Sequence, residues 1–437
     1  MSKTIITSDV FVAYSQCPLK AFLLLFSDDQ GVFHDYPSIL EERRQVNQAQ
    51  YLEKIKQSHE NVEQYKQDDL NEKQFLLQAL LKAECWEAHC DVLTKVEPNT
   101  SDKATYEPTI VVGTYSVTQE QKTELLFIGQ VLGLIQEHLP GTGKIVGMDE
   151  KSHRVKLESG YKVIDPIIKI LKQWAEEKPT QTPALILNRH CSSCQFQHNC
   201  RAKAKEIDHL SLLTSITERE INKLNKKGLF TVTQLSYTYR ARKQRKNNQK
   251  IKHSHALKAL SIRDNKIYVV QKEVINLSDT LIFLDIEGIP DQNFYYLIGL
   301  VIVKDGNIQE FSLWADNQVD EVKIWKKLIT ILSLYDNFTI IHYGSYEANF
   351  FKNKGKIYGE SDNLLLEKIQ ANLVNILSLI YTSVYFPTYS NSLKDIGKYL
   401  GEGWAESNAS VLQSLVWRYD WEKNENEALK DKLITYN

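Results

Sequence analysis

The sequence lacks the features that mark several classes of protein. It has only 6 cysteines among 437 residues, too few for a disulfide-stabilised scaffold in a chain of this length. It has no uninterrupted run of about 18 apolar residues, the length that crosses a bilayer. A capped helix, and not the apolar region of a secretory signal peptide, is predicted after Met1-Ser2-Lys3-Thr4. We therefore expect a cytoplasmic protein whose clustered cysteines are metal ligands or redox groups.

Neither charge is in excess. Lysine and arginine number 53, and aspartate and glutamate number 55. The overall charge therefore does not indicate a nucleic-acid partner, and any basic surface has to be local. With 42% hydrophobic residues, the chain can bury more than one core. Because domains usually contain about 100–200 residues, the length predicts two or three of them.

Three cysteines near the middle of the chain follow a C-x2-C-x5-C pattern, and they are Cys191, Cys194 and Cys200. Thiolates this close together are typical of a metal site, which needs a fourth ligand. Cys85 and Cys90 lie in an apolar, strand-like context, whereas Cys17 follows a short predicted helix. A lone cysteine is more often a buried thiol, but the incomplete triplet makes Cys17 the candidate fourth ligand.

The first half of the chain is predicted to mix helices and strands. Residues 40–83 have the Glu-, Gln- and Lys-rich pattern of two long helices with solvated outer faces. Residues 85–96 and 106–112 alternate like the strands of a hairpin, and a helix is expected to begin at Thr118. Further strands near 144–147 and 154–157 and a helix at 164–176 complete this half.

Two carboxylates, Asp91 and Glu107, lie on the predicted hairpin strands, and Lys122 lies in the first turns of the next helix. Carboxylates on neighbouring strands can bridge a divalent metal for phosphodiester hydrolysis, with a lysine polarising the phosphate. The spacing alone favours ordinary hairpin carboxylates that face solvent. These three residues are nevertheless the candidate catalytic group of this half.

Over residues 5–205 these features resemble the iron-sulfur branch of the PD-(D/E)XK nucleases, which includes CRISPR adaptation exonucleases. The resemblance lies in a helix ending in Tyr14-x-x-Cys17-Pro18, the Asp and Glu on successive strands, and the cysteine triplet followed by Arg201. It implies a restriction-endonuclease-like fold in which the four cysteines clamp a 4Fe-4S cluster and so close a very long loop. Zinc accepts the same ligands and stays an alternative.

The sequence departs from that family at one position. The third motif of the family is Glu-x-Lys, but the residue two after Glu107 is Thr109. Either Lys122 supplies the missing lysine, or this nuclease site is weak or inactive.

Residues 206–275 form a predicted helical segment with a local excess of positive charge. The stretch 208–235 resembles a helix-hairpin-helix element, whose Gly-containing turn offers backbone N–H groups to a phosphate; a small helical spacer is an equal alternative. Between Glu220 and Asp264 there are twelve lysines and arginines and no acidic residue, which favours a phosphate backbone as partner. The candidate nucleic-acid-binding residues are Lys226, Lys227, Arg240, Arg242, Lys243, Arg245, Lys246, Lys250 and Lys252.

Residues 276–437 are predicted to form a separate domain. An apolar strand at 280–288 carries Asp285 and Glu287 two residues apart, and therefore on one face. Strands at 295–303 and 308–314, a helix around 322–332 and a strand at 338–342 follow. Three antiparallel strands, a helix and a fourth strand predict the beginning of an RNase H-like fold.

Asp285-x-Glu287 resembles motif I of the DEDD 3'-5' exonucleases, in which both carboxylates bind a catalytic metal pair. Glu347 lies where motif II has its acidic residue. Nearly the full chain is similar to the RecB-like nuclease family, in which an iron-sulfur nuclease half is fused to an RNase H-like half. This resemblance implies Mg2+ or Mn2+ at Asp285, Glu287 and Glu347. The third DEDD motif begins with a Tyr, and the sequence ends at Tyr436-Asn437, so we expect a truncated member that is short of one metal ligand.

The sequence therefore predicts an α/β multidomain protein. An iron-sulfur PD-(D/E)XK nuclease-like domain is expected at 1–205, a helix-hairpin-helix-like element with a basic linker at 206–275, and an incomplete RNase H-like domain at 276–437. The expected function is metal-dependent hydrolysis of DNA, impaired at both sites. Two alternatives stay open: a catalytically silent nucleic-acid-binding protein with a structural cluster or zinc, and an RNA-processing nuclease.

Overall fold

The computed structural model describes residues 4–66, 73–96, 105–241, 253–272, 274–359, 363–403 and 410–437. The chain divides into two compact units, Met1–Cys200 and Arg201–Asn437. Both units combine helices with β-sheets, so the predicted mixed α/β class is confirmed. In the ranges described, no helix is long and apolar enough to span a membrane.

The first unit begins with two short helices whose boundary is fixed by local chemistry. Thr7 caps the first helix by accepting the N–H of Val10, and Cys17 has the extended backbone that a following proline favours. Pro18 then occupies the first position of the second helix, where its missing N–H costs nothing. The helices are α1 (Ser8–Gln16), α2 (Pro18–Phe26), α3 (Asp35–Ser58), α4 (Gln119–Gln136), α5 (Glu158–Glu176) and α6 (Gln197–Glu206), which begins in this unit.

One large sheet forms the centre of the first unit. Its strands are β1 (Ile6–Thr7), β2 (Val62–Gln64), β3 (Phe75–Ala83), β4 (Trp86–Val96), β5 (Thr105–Val111), β6 (Thr142–Val146) and β7 (Ser152–Lys156). The main order is β2-β3-β4-β5-β6-β7, with β1 beside the start of β4. Strands β3, β4 and β5 are antiparallel neighbours, and α4 connects β5 to the parallel strand β6. The larger core packs α1, α4 and α5 on this sheet, and a smaller cluster joins α3 to it.

The prediction of two helices over 40–83 is half wrong. Helix α3 is present, but the second segment is strand β3. Leu76 and Leu81 of this strand belong to the main core, whereas Leu77 packs in the smaller cluster near α3. A central strand that is buried on both faces shows no clean alternation, so its sequence pattern does not distinguish it from a buried helix.

The second unit starts with small helices and continues into a five-stranded sheet. Its helices are α7 (Glu218–Asn225), α8 (Val232–Ser236), α9 (His255–Asp264), α10 (Gln318–Ser333), α11 (Tyr346–Tyr358), α12 (Asn363–Ala371), α13 (Ile376–Ser383), α14 (Leu393–Leu400), α15 (Val411–Asn424) and α16 (Glu427–Tyr436). Its strands are β8 (Tyr268–Val269), β9 (Thr280–Ile289), β10 (Phe294–Lys304), β11 (Asn307–Trp314), β12 (Phe338–His342), β13 (Leu373–Asn375) and β14 (Val384–Tyr385).

The five-stranded sheet has the order β11-β10-β9-β12-β13. Strands β9, β10 and β11 are antiparallel, and β12 returns parallel to β9 after helix α10. The predicted series of three antiparallel strands, a helix and a fourth strand is therefore confirmed. Along β9 the even-numbered residues Ile282, Leu284 and Ile286 are buried, whereas Phe283 on the other face is 42% exposed. The predicted site residues of β9 lie on this more open face.

A buried ion pair joins α10 to α11. The Lys354 ammonium lies 2.6 Å from the Glu321 carboxylate, and both side chains are only 4% exposed. The same carboxylate accepts the Tyr295 N–H at 2.7 Å and the Tyr358 hydroxyl at 2.9 Å. The pair therefore fixes α11, the helix that also carries Glu347.

Replacing Lys354 by methionine leaves the Glu321 charge buried without its cation. Removal of one partner of a buried pair typically costs about 3–5 kcal/mol, so we expect a loss of that order in urea denaturation followed by circular dichroism. Lys323→Met is the matched control, because Lys323 pairs with Asp320 on the solvent side of α10 and its loss should change stability little. Equal losses in the two variants would contradict the structural role assigned to the buried pair.

Candidate functional site

Three carboxylates meet at one end of the five-stranded sheet. Asp285 and Glu287 lie on one face of β9, paired with Gly299 and Leu297 of β10. Glu347 lies in the first turn of α11, directly after β12. Because β12 is parallel to β9, this turn comes close to the end of β9.

The surroundings of Asp285 and Glu287 oppose the ionisation of these two carboxylates. Burial and the neighbouring charge of Asp285 raise the pKa of Glu287 to about 8. Asp285 keeps one edge open to solvent, yet the protein packed around it and the charge of Glu347 raise its pKa to about 6. Glu347 is only 2% exposed and lies 3.3 Å from the Nδ1 atom of His342. Such a cluster of facing carboxylates is the donor set that Mg2+ and Mn2+ prefer.

Residues far away in the chain complete the site. The Ser414 hydroxyl of α15 donates to Glu287 at 3.3 Å, and the Asn437 amide donates to Asp285 at 2.9 Å. Gly299 allows this approach, since a Cβ there would collide with the Asn437 side chain. Lys394 of α14 lies close enough to Glu287 for the two charges to affect each other's pKa. Sequence reasoning did not find Ser414.

The comparison with known families covers this same region. Residues 282–437 match the family model of the RNase H superfamily. The second unit contains an RNase H-like domain. The match includes Asp285, Glu287 and Glu347, and it indicates in general terms a nuclease that acts on nucleic acid with Mg2+ or Mn2+. A search of curated proteins finds no match.

Asp91, the first candidate of the other unit, is engaged by the protein itself. Its carboxylate is buried, accepts the Gln48 amide and the Val111 N–H, and lies 3.8 Å from the guanidinium of Arg44. Burial raises the pKa of Asp91, while Arg44 acts in the opposite direction. Glu124 of α4 is one of the carboxylates that line the same cavity, and burial raises its pKa to about 7. Sequence reasoning missed Arg44, Gln48 and Glu124, which come from helices and follow no motif.

The structure does not bring Glu107 or Lys122 to Asp91. Thr94 pairs with Glu107 and Val92 with Thr109, so Glu107 lies three residues, or roughly 10 Å, beyond the position opposite Asp91. Glu107 instead accepts the Thr142 hydroxyl and lies 3.7 Å from the guanidinium of Arg154. Lys122 is two residues before Glu124, which places the two side chains about 200° apart around α4.

The four predicted metal-ligating cysteines line one cavity in the first unit. Cys17 lies between α1 and α2, and its partners Cys191, Cys194 and Cys200 lie in or beside the turn at Arg189–Ser193 and at the start of α6. Burial, with the neighbouring thiols adding to it, raises the pKa of Cys17 and raises that of Cys200 to about 11. None of the six cysteines, all of which lie in described ranges, forms a disulfide.

Hydrogen bonds hold the two cysteine-bearing segments together. The Asn188 amide donates to the Gln16 carbonyl at 3.0 Å, next to Cys17, and the Asn188 N–H donates to Cys191 Sγ at 3.3 Å. Further along, the Gln195 amide donates to the Gln30 carbonyl at 2.9 Å. The sequence therefore brings its N-terminal cysteine to the triplet. No group of three or more His, Cys, Asp or Glu side chains is arranged around one ion-sized position in the described part of the chain.

The turn between α7 and α8 has the predicted glycine, Gly228, with φ +75°. Its backbone N–H groups are already used, because each one from Lys226 to Gln234 donates to an acceptor within the protein. The Asp208 carboxylate occupies the N-terminus of α8, where it accepts the Thr233 N–H at 2.7 Å. These contacts favour a helical packing element over a turn that binds phosphate through its backbone.

The predicted basic residues are only partly described. Lys226 and Lys227 are exposed beside the turn, and the Arg240 guanidinium donates to the carbonyls of Tyr237 and Tyr239. The remaining candidates lie outside the described residues, and they are Arg242, Lys243, Arg245, Lys246, Lys250 and Lys252.

The raised pKa values predict a dependence of stability on pH in metal-free protein. Between the ordinary glutamate pKa of about 4.3 and its folded value of about 8, Glu287 holds a proton that the unfolded chain releases. The free energy of unfolding should therefore fall as pH rises from about 5 to about 8. Urea denaturation in EDTA measures this slope. Glu124 of the first unit contributes to the same slope up to its own pKa of about 7, so Glu287→Gln should reduce the slope chiefly between about pH 7 and 8 and Asp285→Asn only below about pH 6. An unchanged slope in Glu287→Gln would contradict the assignment.

Proposed function

We propose that this protein is a RecB-like, metal-dependent nuclease that hydrolyses phosphodiester bonds of DNA at its RNase H-like site. The observation that carries the proposal is the meeting of Asp285, Glu287 and Glu347 at the open face of β9, in an environment that raises the pKa of the first two. A divalent cation relieves this repulsion, so the arrangement supports a metal-binding role.

Each residue of the site has a distinct task in this proposal. Asp285, Glu287 and Glu347 hold the metal, while the Ser414 hydroxyl and the Asn437 amide orient the first two carboxylates. Mg2+ or Mn2+, when bound, stabilises the attacking and leaving oxygens of the phosphodiester. The buried contact with His342 fixes the side chain of Glu347. The protein's contribution is thus to place charge and to orient the phosphate.

DNA is the proposed substrate because of the RecB-like resemblance and the local excess of basic residues. Lys226, Lys227 and Arg240 are exposed in the described part of this segment, and cationic side chains bind a phosphate backbone without reading its sequence. RNA carries the same phosphates, so an RNA-processing role is the outcome that a substrate comparison would reveal.

The first unit is proposed to be a restriction-endonuclease-like core that does not cleave. The antiparallel strands β3, β4 and β5, followed by α4 and the parallel strand β6, support this fold. The Asp91 carboxylate accepts hydrogen bonds from Gln48 and Val111 and pairs with Arg44. Thr109 is at the position where the family has lysine. Its role would then be to hold the cysteine site, where Cys17, Cys191, Cys194 and Cys200 bind a 4Fe-4S cluster, with zinc as the alternative.

One observation favours a second function, a catalytically silent nucleic-acid-binding protein. The Asn437 amide and the Ser414 hydroxyl already bond Asp285 and Glu287, so the protein itself engages two of the three carboxylates that would hold the metal.

Cleavage of end-labelled DNA tests the proposed nuclease directly. The full chain should cleave single-stranded or duplex DNA in Mn2+ or Mg2+, and Asp285→Asn and Glu287→Gln should reduce cleavage to background. Asp91→Asn and Glu107→Gln are the matched controls and should retain activity. RNA run in parallel identifies the preferred substrate.

The possible results of this assay separate the alternatives. Activity lost in Asp91→Asn and kept in Asp285→Asn would move catalysis to the first unit. Salt-dependent binding without metal-dependent cleavage would establish the silent binding protein instead.

Metal content tests the cysteine site. Anaerobically purified protein should contain about four irons per chain. Cys194→Ser should lose both the iron and much of the stability of the first unit, since the site joins Cys17 to Cys191, 174 residues further along the chain. Cys90→Ala changes a buried cysteine away from the cavity and should keep the iron. One zinc per chain would favour the alternative metal, and full iron in Cys194→Ser would contradict the assigned ligands.

A further inference from the structure

One lysine near the carboxylates of the RNase H-like site is not among the proposed metal ligands. Lys394 lies in the first turn of α14, which Ser392 caps by accepting the Asp395 N–H. Its Nζ atom lies 4.7 Å from the centre of the Tyr436 ring, and its charge acts on Glu287. It therefore places a positive charge beside the carboxylates, where a substrate phosphate has to come.

A second lysine, which is buried, binds the loop at residues 386–392 that leads into α14. Lys258 of α9 is 2% exposed. Its ammonium donates to the Phe386 carbonyl at 2.9 Å and to Asn391 Oδ1 at 2.7 Å. Weaker contacts reach the Thr388 hydroxyl at 3.3 Å and the Ser390 carbonyl at 3.5 Å. All of these acceptors belong to residues 386–391, so one ammonium group binds four residues of the same loop.

The burial of Lys258 is costly, because the four acceptors just described are uncharged and burial lowers its pKa to about 8, while the charge of Asp395 acts in the opposite direction. An apolar side chain of the same length would fill the space without this penalty, but it would not fix the loop. The Tyr343 hydroxyl adds a contact of 2.6 Å to the Asn391 carbonyl. Lys258 and Tyr343 thus both fix the loop, immediately before the helix that contains Lys394.

We propose that Lys394 contacts a phosphate of the substrate at the RNase H-like site and that Lys258 is a positioning residue, which places Lys394 by fixing loop 386–392. The proposal rests on the proposed nuclease function. It adds two lysines to the carboxylates and assigns the buried one a task in substrate binding.

The test measures the affinity of the full chain for a fluorescent oligonucleotide as a function of salt, in Ca2+ and with Asp285→Asn in every protein, so that no cleavage occurs. Each phosphate contact contributes about 0.7 for single strands, or about 0.9 for duplex DNA, to the slope of log K against log salt. Lys394→Met should lower this slope by about that amount, and Lys394→Arg should preserve it. Lys398→Met, which removes an exposed lysine one turn further along α14, should leave the slope unchanged.

The role of Lys258 is tested by a double-mutant cycle. Lys258→Met should weaken binding, and the double variant with Lys394→Met should bind no more weakly than Lys394→Met alone, because both changes remove the same contact. Asn391→Ala, which removes the closest acceptor of Lys258, should give the same result and serves if Lys258→Met does not fold. Lys266→Met, which removes an exposed lysine just after the end of α9, is the matched control.

Two results would overturn the proposal. A slope that Lys394→Met leaves unchanged would remove the phosphate contact, and additive effects of Lys258 and Lys394 would show that Lys258 does not act through Lys394. These outcomes are independent of the cleavage assay, since a protein that binds as expected but does not cut would contradict only the proposed nuclease function.

Discussion

Repulsion among Asp285, Glu287 and Glu347 is the constraint on which the organisation of the second unit depends. Their surroundings raise the pKa of the first two, so surrounding structure has to hold the three groups together. The parallel pairing of β9 and β12 brings the strand ends to one place. The buried pair of Glu321 and Lys354 then fixes α11, and with it Glu347. The facing carboxylates destabilise the fold, and the elements packed around them stabilise it.

Buried contacts of a charged side chain also fix helix α15. Arg418 is fully buried, donates to the carbonyls of Ala315 and Asp316, and pairs with Glu422 at 2.9 Å. Aromatic rings surround its guanidinium, the closest being Trp421 at 4.4 Å, in the manner of a desolvated cation–π contact. Because Arg418 lies one turn after Ser414, its anchoring places the hydroxyl that bonds Glu287.

The first unit is organised by contacts between distant segments of the chain. The bonds from Asn188 and Gln195 to the carbonyls of Gln16 and Gln30 bring Cys17 to the triplet. A bound cluster would add covalent closure to an arrangement that hydrogen bonds already define. The arginine beside Asp91 supplies the positive charge that a metal would bring to an active nuclease site, which agrees with a structural role for this unit.

Local patterns predicted much of this structure, and contacts between distant residues account for what they missed. Alternation placed Asp285 and Glu287 on one face of β9, and Thr118 marked the start of α4 through its capping box. The cysteine spacing led to Cys17, which lines the same cavity as the triplet; the binding of a metal by these four residues stays a prediction. Burial on both faces concealed β3, and the register of β4 and β5 could not be read from two isolated strands. Lys258 and Ser414 were invisible for the same reason, since their partners are more than 100 residues away.

The central claim is that the second unit, and not the first, holds the catalytic metal. Titration of Mn2+ into the full chain by isothermal calorimetry tests this claim most directly. We predict that the wild-type protein and Asp91→Asn bind Mn2+ alike and that the Asp285→Asn, Glu287→Gln double variant loses this binding. Binding that survives in the double variant and disappears in Asp91→Asn would contradict the account.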